Sequence, residues 1–299
     1  MKGKELRFLL SDLLYLACSV LPLLFGILLK LLTAPPTDGI VITGARIYAT
    51  LPLPIQPLPI TEAQVNSALV ILSVTGICLY LTHGIRAGRT TRRQAVAEWA
   101  VDLTQRTVRQ TMGTGFDHFP PFIAAILALS AFSSLLSLLG LYPPTADLNT
   151  AGGWAILVFF LITYYKCKCG VLHYVRSFGK PVRLLAPMNV ISEISTPFSM
   201  AFRHYGNILS GSIVSVLLAA ALQGASAKLL GNLPTPWGEI PLLRVGLPAL
   251  LSVYFDLFSA CLQAYIFAVL TMLYISGGFP REDYEKRRKA RNARKNPLR

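Results

Sequence analysis

Long apolar stretches alternate with loops dense in lysine and arginine along this chain, and that alternation leaves few ways to fold. A membrane-crossing helix needs about 20 mostly apolar residues. Six stretches qualify, roughly 8–32, 64–83, 120–141, 152–165, 188–230 and 247–276. The fourth is short. The fifth is long enough to hold a broken or re-entrant piece before its crossing, and Pro187 and Pro197 mark where the backbone would bend. The predicted fold class is therefore all-α, a polytopic integral membrane protein of about six membrane segments, with a long broken or re-entrant helical hairpin near the C-terminus.

The basic residues set the orientation. Lys2, Lys4 and Arg7 precede the first span; Arg86, Arg89, Arg92, Arg93, Arg106 and Arg109 follow the second; Lys166, Lys168, Arg176, Lys180 and Arg183 follow the fourth; the tail from Arg281 to Arg299 carries nine. The alternate loops hold almost none: Arg46 in the first, none in PPTADLNT, Lys228 and Arg244 at the edges of the last. Cytoplasmic loops are the basic ones, so six spans place every cluster and both termini on that side. An odd number of spans would not.

A formal charge of +14 by itself would suit nucleic acid, but such proteins carry their basic residues on a polar fold. Here 53% of residues are hydrophobic and 14% charged, at a mean hydropathy of +0.53. Topology accounts for the charge, and no nucleic acid partner is expected. The basic start MKGKELR resembles a signal peptide, but the apolar run behind it is too long for one and is expected to remain as a span. Cys167 and Cys169 in KCKCG lack the second pair a zinc site needs and are read as loop residues, so no metal is expected. Between the second and third spans, Val96, Trp99 and Leu103 recur at helical spacing among charges and predict a cytoplasmic or interfacial helix.

One residue breaks the apolar pattern. In PMNVISEISTPFSMAFRHYGNILSGSIVSVLLAAAL, residues 187–222, Arg203 stands between Phe198, Met200, Ala201 and Phe202 on one side and Ile208, Leu209, Ile213 and Val214 on the other. A charge at a helix centre costs about 2.5–3.5 kcal/mol on insertion scales and marks a functional site by default. Guanidinium does not give up its proton, so Arg203 is a gate or counter-ion and not a carrier. The in-membrane carboxylates are few: Asp12 at the start of the first span, Glu193 in the bent segment and Asp256 in the last span. The arginine's working partner is therefore expected on another chain. Asn207 lies one turn beyond it, and Gly206, Ser210, Gly211, Ser212 and Ser215 would let a helix approach closely. His204, on a different face, is read as structural. Asp256 and Gln263 are seven residues apart, two helical turns, which puts both on one face. Glu193, Arg203, Asp256 and Gln263 together would line a polar path. From the residues alone, an ion path and a secondary transporter with an anion site at Arg203 remain two open readings.

At these residues the chain resembles subunit a of the F-type ATP synthase, the stator of the membrane sector. That family has a glutamate, a serine and a proline before Arg-Leu-Phe-Gly-Asn and a small-residue stretch; here the pattern stands as EISTPFSMAFRHYGNILSG. LQAYIFAVLTMLYIS and LLSLLGLYPPTADLN match two further family patterns in the family's order, so the resemblance covers about residues 60–278.

The resemblance implies that Arg203 faces the carboxylates of a rotating c-subunit ring, with Asn207 one turn on and Gln263 opposite. It implies that Asp256 lines a half-channel, that Glu193 matches a glutamate of the bent segment, and that Gly206, Ser210 and Gly211 pack against the ring. The other implied partners are the peripheral-stalk b subunits, the catalytic sector and the lipid membrane, in a bacterial cytoplasmic membrane. No cofactor is implied, and there is no Gly-x-x-x-x-Gly-Lys loop to bind nucleotide, so the chain is not expected to be an enzyme on its own. Three departures stand out: His204 and Tyr205 replace Leu-Phe, Ser137 replaces an asparagine, and Ser212 stands where many members have histidine or glutamate. The expected organisation is an extra N-terminal segment and outer loop over 1–60, an ion-translocating core over 61–278 and a basic cytoplasmic tail over 279–299.

Overall fold

The computed structural model describes residues 2–33, 44–52, 54, 56–85, 91–113, 115–179, 183–230, 253–281 and 284. Eight α-helices carry the fold among them: α1 Lys2–Thr33, α2 Glu62–Thr82, α3 Arg92–Met112, α4 Pro120–Leu135, α5 Leu148–Cys167, α6 Val171–Ser177, α7 Ala186–Leu230 and α8 Ala260–Gly278. A short antiparallel hairpin, β1 Ile47–Leu51 and β2 Leu58–Thr61, precedes α2. Six helical stretches are long and apolar enough to cross a membrane: Phe8–Thr33, Glu62–Thr82, Pro120–Leu139, Leu148–Cys167, Ala186–Ser226 and Leu257–Gly278. The chain is all-α and polytopic, as expected.

The fourth crossing is longer than its apolar run, because Asp147 caps the helix at Asn149 N–H (3.1 Å) and draws Leu148, Asn149 and Thr150 into its first turn. The fifth differs more. Helix α7 runs unbroken over 45 residues with Pro197 inside it, where a break was expected. Proline removes one rung of the hydrogen-bond ladder, but in hydrocarbon the remaining backbone groups have no water to turn to, so the helix continues through it. Pro187 sits in the first turn, where its missing N–H costs nothing.

The core lies where α3, α4, α5, α7 and α8 meet: Val108, Met112, Phe116, Phe119, Ile123, Val158, Ile162, Met200, Phe267, Met272 and Ile275 are buried together. Helix α1 docks on α2 through small residues. The Ser73 hydroxyl donates to the Ser19 carbonyl (2.7 Å), and a Cβ on Gly76 would lie 2.7 Å from the Ser19 nitrogen, so only glycine admits the backbone of α1 here. At the other end of α1 the Lys30 ammonium donates to the Gly140 carbonyl.

One loop and one helix frame the site. The segment after α4 folds inward: Pro144–Ala146 touches α2, α4, α5 and α7, with the hydroxyls of Thr145 and Ser134 3.0 Å apart in the interior. Helix α3 turns Val96, Trp99 and Leu103 outward while Gln94, Val108 and Met112 pack inward, an arrangement suited to the membrane interface. Cys169, read from sequence as a loop residue, is buried with its thiol 3.7 Å from the Pro280 carbonyl.

Candidate functional site

Helix α7 is the scaffold. At 1.5 Å per residue, its membrane-compatible stretch of 41 residues is about 61 Å long, twice the hydrocarbon thickness. It is therefore longer than a perpendicular crossing needs. Met200, Ala201, His204 and Gly211 form its buried stripe. Phe198, Phe202, Arg203, Ser210, Val214 and Leu217 are exposed.

Arg203 and His204, adjacent in sequence, consequently serve different surfaces. A helix turns about 100° per residue. His204 is 0% exposed and is held between the rings of Trp154 (5.9 Å) and Phe267 (5.5 Å), with Nε2 3.3 Å from the Ser130 hydroxyl. Arg203 lies on the open side, and no ion pair among the described residues includes it.

The structure brings Asn207 and Gln263 to the same contact between α7 and the start of α8. Asn207 Nδ2 donates to Ser259 Oγ at 2.9 Å. Gln263, 5% exposed, stands one turn after Ser259 on α8. Ser259 was not anticipated; its spacing of four before Gln263 was the available signal.

Asp256 lies in a π-helical segment, Val253–Ser259, that leads into α8. Its side chain is outside the described part of the molecule. The seven-residue spacing to Gln263 does not equal two α-turns there, because a π-helix has a wider turn than 3.6 residues. Such segments favour functional sites.

Glu193 does not join this group. It is ten residues before Arg203, about 15 Å along the axis, and both its carboxylate oxygens accept from Lys166 Nζ (2.6 and 2.7 Å), with the Tyr174 hydroxyl 3.4 Å away. The pair borders a cavity of about 420 Å³, also lined by Asn189 and Ser192 and open at the end of the molecule where the basic loops lie. Burial, and then the neighbouring Glu193 carboxylate, push the Tyr174 phenol up to about 12. Lys166 had been read only as a loop charge.

Of the small residues expected to meet a partner, Gly206 has nothing within 4 Å of where a Cβ would stand. Ser210 is exposed and returns its hydroxyl to the Asn207 carbonyl (3.1 Å). Gly211 is buried within the chain. Ser212 is exposed, its hydroxyl on the Leu209 carbonyl (2.8 Å).

This combination, an arginine on the exposed flank of a long helix with Asn207 one turn on and bonded to Ser259, falls inside residues 65–276, the region matched by the family model described as ATP synthase A chain. The chain belongs to the ATP synthase A chain family. It is 32% identical over 211 residues to ATP synthase subunit a of Bacillus pumilus, covering 66% of this chain and 83% of that one. It is 30% identical over 189 residues to ATP synthase subunit a 1 of Crocosphaera subtropica (62% and 73%), and 27% identical over 234 residues to ATP synthase subunit a 2 of Bradyrhizobium sp. (78% and 95%). The A chain match begins within α2 and ends within α8, so α1 and the β-hairpin lie before it.

Proposed function

We propose that this A chain family member carries protons between two offset half-channels and the carboxylates of a rotating c-subunit ring, coupling the ion gradient to ATP synthesis. The observation that carries the reading is Arg203, charged and open on an apolar helix flank without a described acidic partner. Left in lipid, such a charge costs about 2.5–3.5 kcal/mol. Set against a ring carboxylate it is compensated, and it does work. A carboxyl arriving beside the fixed guanidinium is driven to its ionised form, releasing its proton, and a second cation is repelled. The arginine thereby separates the two half-channels.

Phe198, Phe202 and Ser210 flank Arg203 on the open side, and Gly206 leaves space beside it, as a close-packed ring requires. Gly211, expected there too, turns into the chain's own interior. Asn207 ties α7 to Ser259 at the start of the last span, and Gln263, one turn further on, is assigned to the same path. Asp256, at the outer end of the last span, is assigned to one half-channel. The cavity beside Glu193 opens toward the basic loops and is assigned to the inner half-channel.

The peripheral-stalk b subunits would hold this chain still, and the catalytic sector would carry out the nucleotide chemistry. The basic loops support a C-terminus on the cytoplasmic side, and the family's bacterial members support a bacterial cytoplasmic membrane as the setting.

The test is ATP-driven acidification of inverted membrane vesicles carrying Arg203→Ala, with co-purification of the ring scored in parallel. Loss of pumping with the ring retained is the expected result. Pumping at the wild-type rate would make the charge structural and the reading wrong.

A further inference from the structure

Glu62 opens α2 at the end of the molecule opposite the basic loops. It is 4% exposed, and no described residue gives its carboxylate a hydrogen bond or an ion pair. The capping of α2 does not use it: Thr61 Oγ1 accepts from Gln64 N–H (3.4 Å), and Gln64 Oε1 accepts from Thr61 N–H (3.2 Å). A helix N-terminus favours a carboxylate by only about 0.3–1 kcal/mol when exposed, which does not explain burying one. Neither Glu62 oxygen is among the fully enclosed atoms left without a partner, so the carboxylate still reaches solvent from a largely enclosed side chain, and its partial desolvation is relieved when a proton or cation occupies it.

What surrounds Glu62 is polar and leads inward. Asn66, one turn further along α2, donates to the Tyr142 carbonyl (2.8 Å), which fixes the inward-folded loop against α2. The Tyr142 hydroxyl donates to the Ala146 carbonyl (3.0 Å). Burial, then the charges of Asp147, Tyr205 and Glu62, hold the Tyr142 phenol above its ordinary range, so it stays protonated at working pH. Tyr142 thus lies near both Glu62 of α2 and Tyr205 of α7, and Tyr205 is two residues past Arg203, about 3 Å along the helix axis and about 200° around it. The other titratable or charged groups near Glu62 are Arg46, just before the hairpin, Tyr48 of β1 and Asp147 of the loop.

We propose that Glu62 is the proton-uptake carboxylate of the outer half-channel, and that the Tyr142 loop is the wall along which the proton passes toward Tyr205 and Arg203. In each passage the carboxylate takes a proton from the outer solution and gives it to water on its inner side, which restores the carboxylate. This rests on the ion-path reading above and adds the residue that loads the path. It also gives the hairpin and the α2 N-terminus, both outside the matched family region, a part in transport.

The test uses the whole complex in inverted vesicles, whose lumen is the outer side. ATP synthesis is driven by an imposed gradient at constant total driving force while lumen pH is varied, in wild type, Glu62→Gln, Glu62→Asp and Arg203→Ala. Glu62→Gln is expected to slow synthesis by roughly tenfold, below the range a positioned acid–base group commonly contributes, and to flatten the dependence on lumen pH. Glu62→Asp, which keeps the acid, is expected to retain most of the rate and a pH dependence. Wild-type rate and profile in Glu62→Gln, with Arg203→Ala inactive, would overturn the role of Glu62 alone. Wild-type synthesis in Arg203→Ala would overturn the ion-path reading itself. Equal loss in both Glu62 variants, with the ring no longer co-purifying, would make Glu62 a folding residue and also overturn the proposal.

Discussion

Asn207 and Ser259 are 52 positions apart and joined by a hydrogen bond of 2.9 Å, which fastens the arginine helix to the π-helical segment that holds Asp256. A net contribution of about 1 kcal/mol is usual for such a bond. Ser259→Ala and Asn207→Leu should each slow ATP-driven pumping several-fold, and the double variant should be little worse than the worse single one. Pumping rates of the four proteins check this as a double-mutant cycle; full additivity would mean that the two side chains act independently.

Lys166 and Glu193 have little solvent to fall back on. Removing one partner of a buried ion pair costs about 3–5 kcal/mol, whereas replacing both with apolar groups is often near neutral; partial exposure of this pair, 24% and 16%, places the single-variant loss at the lower end. Lys166→Met and Glu193→Leu should each lower the thermal midpoint of the detergent-solubilised protein, and the double variant should recover most of the loss. Thermal unfolding of the three variants decides it.

The Tyr174 phenol gives a pH signature. Its value is raised from 10.0 to about 12. Between these values the unfolded chain releases the phenol proton while the folded chain keeps it, so the stability contributed by the raised value is full below about pH 10 and is lost as pH rises toward 12. Tyr174→Phe should show a shallower fall in stability across that window. Denaturant unfolding at closely spaced pH values would reveal an unchanged slope if the phenol played no part.

The first helix is clamped near its N-terminal end. Asp12 accepts from Arg93 (2.8 Å) and meets His83 Nδ1 (2.9 Å), while His83 stacks on Phe8 (centroids 4.5 Å) and Arg93 lies 4.9 Å over Tyr80. The Asp12 hydrogen bond holds the Arg93 guanidinium above its ordinary range. Asp12→Asn should loosen this end of α1, and Gly76→Val should force α1 from α2 along its middle. Hydrogen exchange over residues 8–25 should quicken in both variants relative to α8; unchanged exchange would show that α1 is held by lipid alone.

The candidate site was partly legible. Arg203 was found from its surroundings, because a permanent charge in an apolar run is conspicuous whatever the fold. The direction of Arg203 and the partner of Glu193 were not. Helices α2, α4, α5 and α8 are apolar all round, so no periodic contrast marks the inward face: lipid and protein core are alike in polarity. The same uniformity hid the choice between one long α7 and a broken pair, which a proline alone does not decide in hydrocarbon.

The sequence by itself determined the six stretches apolar enough to cross a membrane and the presence of one costly charge, since each follows from solvation of single segments. Only the tertiary structure decided that Glu193 pairs with Lys166, that Asn207 meets Ser259, and that Arg203 is left open while His204 is enclosed. Those outcomes depend on which helices pack together and how far each is rotated about its axis, and side-chain packing between distant segments sets both.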